Sequence, residues 1–328
     1  MTGLMPPAPQ AIESTPTTLS VRSLIVDRGH TELRSREVPR PGPGEVLIHV
    51  AAVGLCRTDL AVMSGALPIQ APLIPGHEFA GIIRMLGSGV DSLQPGQRVT
   101  VHPLLHCGRC KFCIRSQPEY CQSTRFLGLD LDGACSELVL VPASSVYPLP
   151  RDIPFTTAAF SEPVAASLGV LNSGITPADR GVIIGDNRIS RLTERVLRAH
   201  GFTRLEVCST ADAGLLPEDD FDYAIETEAT PAVLAQMRRV VRPRGRYILK
   251  SRPSQPVPID FRQLLPKEPI LHAVHYGLFH LAVELLGNGR VDVEDLIGRC
   301  WPLSRHTEAI RDAESGEQLK TFLMPVES

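Results

Sequence analysis

Residues 181–190 read GVIIGDNRIS. The apolar run at 181–185, bounded by glycines, is the pattern of a short strand buried on both faces. A helix-like stretch follows over 189–199. Beyond it come strand-like runs near 205–208 and 223–226, a helix over 232–241 and a strand at 247–250. A helix-like stretch also precedes the strand, at 165–171. Strands alternating with helices imply a parallel sheet, so this part of the chain reads as α/β.

Upstream the texture differs. From residue 20 to about 146 the chain offers short β-type runs broken by Pro and Gly, including EVLIHVAAVG, EFAGIIRMLG and SELVLVP. That is the signature of a β-rich domain. Downstream, an amphipathic helix at 278–286 leads into mixed short elements. A length of 328 residues accommodates two domains, each with its own core. Hydrophobic residues make up 43%, charged residues 21%, and the formal net charge is −3, which gives no electrostatic reason to expect nucleic acid or an anionic membrane as partner. No apolar run approaches the roughly 20 residues of a membrane-spanning helix, and the first residues lack the pattern of a secretion signal. The expected location is cytoplasmic. The first 17 residues, rich in Pro, Ser and Thr, read as a flexible tail ending near residue 18.

Eight cysteines in such a chain argue against a disulfide framework and turn attention to their spacing. Cys107, Cys110, Cys113 and Cys121 lie in HCGRCKFCIRSQPEYC, spaced Cys-x2-Cys-x2-Cys-x7-Cys. Four thiolates suit a tetrahedral Zn(II), and the short gaps let a tight loop aim successive sulfurs at one centre. An iron–sulfur cluster is the rival reading of the same four ligands. A closed four-ligand site leaves no position for substrate, so its role is structural.

A second set is more dispersed: Cys56 in GLCRTDL, His77 and Glu78 in PGHEFAG, and Glu162 in FSEPVAA. Thiolate, imidazole and carboxylate together are the mixture found in zinc sites that keep a position open for water or substrate.

GLCRTD, GHEFAG, the four-cysteine lobe and Glu-Pro, in that order, resemble the zinc-containing branch of the medium-chain dehydrogenase/reductase superfamily. The resemblance runs from about residue 21 to the C-terminus and is nearest the polyol, threonine and short alcohol dehydrogenase-like members. It implies an α/β chain made of a GroES-like β-barrel catalytic domain (19–163 and 275–328, zinc lobe near 106–122) and a reduced Rossmann-type parallel-sheet domain (164–274). It implies two zinc ions per chain. Cys56, His77, Glu78 and Glu162 would serve the active-site metal, and Cys107, Cys110, Cys113 and Cys121 the structural one. Asp59 would hold the histidine ligand's other ring nitrogen. Thr58 and Glu78 would be catalytic, with Thr58 accepting and passing the substrate hydroxyl proton. Two residues after Asp59, where many members continue that relay with histidine, stands Ala61. The resemblance also implies a small-molecule substrate and a homodimer or homotetramer.

The cofactor domain departs from the family. Its Gly-x-Gly-x-x-Gly turn, which lets backbone approach a pyrophosphate, is reduced to Gly185, with Asn187 and Ser190 at the other two positions. Arg57 is where members carry a basic residue for the diphosphate. The second strand ends LEVCST, with no acid for a ribose, and only 13 residues separate Cys208 from Asp222. A full helix, strand and helix do not fit in that span. These features make NAD(P) a doubtful cofactor, its binding weakened, atypical or lost. The principal expectation is a zinc-dependent dehydrogenase acting on a small alcohol, polyol or carbonyl. The alternatives are a non-redox zinc enzyme on the same scaffold and a non-catalytic scaffold. His275, in a turn that members often place near the nicotinamide, is a candidate for lining the cleft.

Overall fold

The computed structural model describes residues 17–325 except 116, 254 and 317. The expected tail lies outside these residues but for its last two, and strand Thr18–Asp27 begins within it. This strand pairs antiparallel with His30–Pro39.

A seven-stranded sheet is assembled from both ends of the chain. Its order is Ile297–Pro302, Lys320–Met324, Glu45–Gly54, Glu78–Leu86, Arg98–Val101 and Val146–Pro148, with Leu138–Pro142 also pairing with Glu45–Gly54. One face buries Val46, Ile48, Val50, Phe79, Ile83, Val99 and Val139 in a common core. Parallel neighbours Ile297–Pro302 and Lys320–Met324 bring the C-terminal segment beside Gly54, which faces Phe322 on one side and Glu78 on the other. That register sets the metal-site residues next to a strand more than 240 positions away in sequence.

Five parallel strands form the second sheet, in the order Leu205–Cys208, Gly181–Ile184, Phe221–Glu226, Val241–Leu249, Ile270–Ala273. Alternation along the strands sends Val182, Ile184, Ala224 and Tyr247 to one face, against Val233, Met237 and Val240 of helix Pro231–Val240. Ile183, Tyr223, Ile225 and Ile248 go to the other, with Leu197 and Phe202. A complete dinucleotide fold has strand order 3-2-1-4-5-6. The order here corresponds to 2-1-4-5-6. The short linker expected from the sequence explains the loss, because only the 3-10 turn Asp212–Leu215 connects the edge strand to Phe221–Glu226.

The helix read at 165–171 begins four residues earlier, as Ser161–Leu168, and two strands of the parallel sheet also differ from the sequence reading. Strand Val241–Leu249 begins six residues before the expected position despite Pro243, because the ladder with its neighbour is irregular between Phe221 and Tyr223. A proline is tolerated at such a break. Strand Ile270–Ala273 was not expected. Its residues are half-buried or exposed and carry no alternation, and it exists as an edge added to Arg246–Leu249.

Helices Ser161–Leu168, Arg188–Ala199 and Phe279–Gly287 share a core with Ala52, Ala80 and Phe322 of the seven-stranded sheet. Seven of the eight residues of Ser161–Leu168 are buried, as befits a helix apolar on nearly all sides. This packing holds Glu162, in its first turn, towards the metal-site residues. No helix among the described residues is long and apolar enough to cross a membrane.

Candidate active site and metal centres

The four cysteines at 107, 110, 113 and 121 converge, with all sulfurs within 4.8 Å of one another. Cys110 Sγ lies 3.5 Å and Cys107 Sγ 4.0 Å from Cys113 Sγ. Tetrahedral ligation at a Zn–S distance of ~2.3 Å places sulfurs ~3.8 Å apart, so the lobe has the dimensions of a zinc site. Backbone donors already serve the sulfurs. Cys110 N–H points to Cys107 Sγ at 3.3 Å, and Cys107 N–H to Cys121 Sγ at 3.4 Å. The latter donor, above all, brings the Cys121 thiol down to about 6.

The second centre grows from the short helix Arg57–Met63. Cys56 is its N-cap, and Asp59 at the third helical position returns to accept the Cys56 N–H at 2.9 Å. The other Asp59 oxygen accepts the Gly76 N–H at 2.9 Å and meets His77 Nδ1 at 3.2 Å. Asp59 is 1% exposed and His77 3%. Burial would raise the Asp59 carboxyl, but His77 and the two backbone donors outweigh it and hold it below its ordinary value. Burial likewise opposes charge on His77, and Asp59 overcomes it, raising the imidazole well above its usual value. With Nδ1 engaged, His77 presents Nε2 to a ligand. Cys56, His77 and Glu78 place their donor atoms within 4.8 Å of one another. Glu162 stands just outside this set.

Both carboxylates are held by residues that the sequence reading did not single out. Glu78 Oε2 accepts from Lys320 Nζ, and both side chains are buried. Lys320 also lies against the Phe160 ring, 5.7 Å from its centroid. Gly54 makes room for this lysine, since a Cβ there would stand 2.6 Å from Lys320 Cδ. Glu162 Oε1 accepts from the Tyr276 hydroxyl. Burial and the neighbouring Glu78 raise the Glu162 carboxyl, while burial and Glu162 push the Tyr276 phenol well above its ordinary value. Nothing in local sequence marks Lys320 or Tyr276. Only the sheet register and the turn after Ile270–Ala273 bring them here.

Thr58 is next to the centre, its hydroxyl 3.9 Å from Cys56 Sγ. Arg57 is exposed in the same first turn. Around Tyr276 lie His102, with ring centroids 5.9 Å apart, and His275 at 4.6 Å. Burial lowers both imidazoles to about 4, so they are neutral near pH 7.

Gly185, Asn187 and Ser190 cluster at the mouth of the five-stranded sheet. Gly185 has φ +143°, and a Cβ there would lie 2.0 Å from Thr227 Oγ1. This first glycine is therefore required. Asn187 does not use a left-handed backbone: its φ of −141° is extended. Its side chain folds onto the helix start, where Oδ1 accepts the Ser190 N–H at 3.1 Å and Nδ2 donates to Thr227 Oγ1 at 3.2 Å. Ser190 Oγ and Thr227 Oγ1 are 2.7 Å apart. The helix is capped by its own side chains at the place where a dinucleotide fold offers free N–H groups to phosphate.

Comparison with known proteins agrees with this architecture. Residues 42–151 match the family model of the alcohol dehydrogenase GroES-like domain. The L-threonine 3-dehydrogenase of Pyrococcus furiosus is 29% identical over 89% of this chain and 94% of its own. The sorbitol dehydrogenase of Halalkalibacterium halodurans is 27% identical over 91% and 97%. A zinc-binding dehydrogenase of Sinorhizobium meliloti 1021, solved bound to NADP, superposes with a TM-score of 0.86 at 25% identity, covering 94% of this chain and 100% of that one. Residues 42–151 thus match the alcohol dehydrogenase GroES-like domain, and over about nine tenths of its length the chain is similar to threonine, sorbitol and zinc-binding dehydrogenases, in keeping with its resemblance to the medium-chain dehydrogenase/reductase superfamily.

Proposed function

We propose that the protein is a zinc-dependent oxidoreductase that interconverts a small alcohol or polyol and its carbonyl compound with NAD(P). The observation that carries this reading is the convergence of Cys56, His77 and Glu78 within 4.8 Å, with Glu162 beside them. The doubt raised by the altered glycine turn is withdrawn. A relative covered over its whole length was solved with NADP, which makes NAD(P) the cofactor to expect here.

Cys56, His77 and a carboxylate of Glu78 or Glu162 would hold a zinc ion, which would supply the Lewis acidity that favours ionisation of an alcohol. The protein's own residues do the rest. Asp59 fixes the His77 tautomer and ring direction. Lys320 neutralises Glu78, and Tyr276 orients Glu162. Thr58 takes the hydroxyl proton. With Ala61 in place of a relay histidine, that proton leaves by a different path from Thr58. Cys107, Cys110, Cys113 and Cys121 would hold a second zinc, which would fasten their loop.

With this activity go a small-molecule substrate, a cytoplasmic location, a homodimer or homotetramer, and the division into a catalytic domain at 19–163 and 275–328 around a cofactor domain at 164–274. The direct test is metal analysis combined with nicotinamide reduction. The expected result is two zinc ions per chain and NAD(P)H formed from one or more polyols. Two zinc ions without nicotinamide turnover across a polyol and hydroxy-acid panel would overturn the redox assignment.

A further inference from the structure

Two cations near the candidate site have no role in the chemistry described above. Lys250 and Arg252 follow strand Val241–Leu249 at its carboxyl end, the end at which open parallel sheets bind their ligands. The adjacent strand Ile270–Ala273 delivers His275 and Tyr276 to the same end. The Arg252 guanidinium lies 5.9 Å from the Tyr276 ring centroid, and the hydroxyl of that ring is bonded to Glu162. Arg252 is thus one tyrosine ring away from the metal-site carboxylate. Lys250 is close enough to Glu162 and His275 for its charge to be felt by both.

The turn carrying these cations is rigidly held. Buried Glu226 accepts the N–H groups of Lys250 and Ser251 at 2.7 and 3.0 Å, and the Ser251 hydroxyl at 2.6 Å. The Ser251 hydroxyl in turn accepts the Ala229 N–H at 2.9 Å. Glu226 is therefore spent on the backbone. The Lys250 amine and the Arg252 guanidinium make no hydrogen bond or ion pair among the described residues. Half-burying an unpaired amine is costly, and an anion arriving from outside removes that cost.

We propose that Lys250 and Arg252 are specificity-determining residues that select an alcohol substrate carrying an anionic group, carboxylate or phosphate. Placement argues against the cofactor diphosphate as their partner. The helix start that would receive it follows Gly181–Ile184, two strand spacings or about 10 Å from Val241–Leu249. Lys250 and Arg252 lie at the Glu162 end, where the reacting hydroxyl belongs.

This inference rests on the alcohol-oxidation reading, and its test separates the two. The zinc-loaded full chain is titrated calorimetrically with glycerol, glycerate and glycerol 3-phosphate, and with glucitol and gluconate. Nicotinamide reduction is followed in parallel. The expected result is binding of a charged member about ten-fold tighter than its neutral counterpart, weakening as salt is added. Glycerate against glycerol 3-phosphate tells carboxylate from phosphate. Lys250→Met and Arg252→Gln should each reduce the preference, and the double variant should reduce it to less than about two-fold. Arg252 is exposed, so its replacement does not threaten the fold. Equal binding of charged and neutral members, or a preference that survives the double variant, overturns the inference. So does a loss confined to cofactor affinity, which would make these residues cofactor contacts. Charge preference without nicotinamide reduction would sink the redox reading and leave this one standing; reduction without charge preference would do the reverse.

Discussion

Lys320 and Glu78, 242 positions apart in sequence, form an ion pair sealed inside the protein, with side chains 1% and 3% exposed. A lone buried charge is expensive, so each residue depends on the other. The pair fastens the C-terminal strand to the loop that carries His77. Lys320→Met should lower stability by about 3–5 kcal/mol, because it strands the Glu78 carboxylate. The double variant Lys320→Met, Glu78→Gln should be more stable than Lys320→Met alone. Urea unfolding of the four proteins in the cycle measures both. A lysine variant within about 0.5 kcal/mol of wild type would show that the pair contributes nothing to the fold.

Asp59 binds two backbone N–H groups and His77 at once. Asp59→Asn keeps the shape but loses the acceptor capacity that fixes the imidazole. Affinity for the active-site zinc should fall about 10–100-fold. The four-cysteine zinc, on a different loop, should be retained. Competition with a chelator followed by metal counting checks this, and equal loss of both ions would refute a local role.

The self-capped helix start gives a prediction with an unusual sign. Asn187→Gly removes side-chain bonds to Ser190 and Thr227, yet glycine is itself an adequate N-cap, so the cost should be only a few tenths of a kcal/mol. Freed N–H groups should bind NAD(P)H several-fold more tightly. Fluorescence titration of both nicotinamides reads the change. Weaker binding in the variant would mean that the Asn187 side chain contacts the cofactor.

Substrate preference should also depend on pH. Burial brings the Lys250 ammonium down to about 8, with Glu162 and Glu226 opposing the shift and Arg252 adding to it; His275 faces the same group and is neutral there. A base with a lowered pKa keeps its charge below that value and loses it above. Preference for anionic over neutral alcohols should therefore be complete near pH 7 and decline as pH passes about 8, leaving the part due to Arg252. In Lys250→Met this decline should vanish. A preference unchanged from pH 7 to 9 would remove Lys250 from the account.

The convergence of the two candidate ligand sets was legible in the sequence because their residues occur in short motifs. Cys107 to Cys121 lie on one loop, and Cys56, His77 and Glu78 sit at the ends of strands that pair directly. The missing strand was equally legible, since chain length between Cys208 and Asp222 is a hard limit. What escaped were the partners of these residues. Lys320, Tyr276 and Glu226 act through sheet register and turn packing across long separations, and none stands in a motif. Asn187 was misread for a local reason. Its side chain stands where a glycine of the turn would leave bare backbone, and instead of intruding on a phosphate site it turns back from an extended backbone to cap the helix.

Metal stoichiometry and nicotinamide reduction, measured together on wild type and Cys56→Ser, test the assignment most directly. Wild type should hold two zinc ions and reduce NAD(P) with a polyol or hydroxy acid. Cys56→Ser should keep the four-cysteine zinc, lose or loosen the other, and lose nicotinamide reduction. Undiminished reduction by a Cys56→Ser protein holding one zinc would contradict the account.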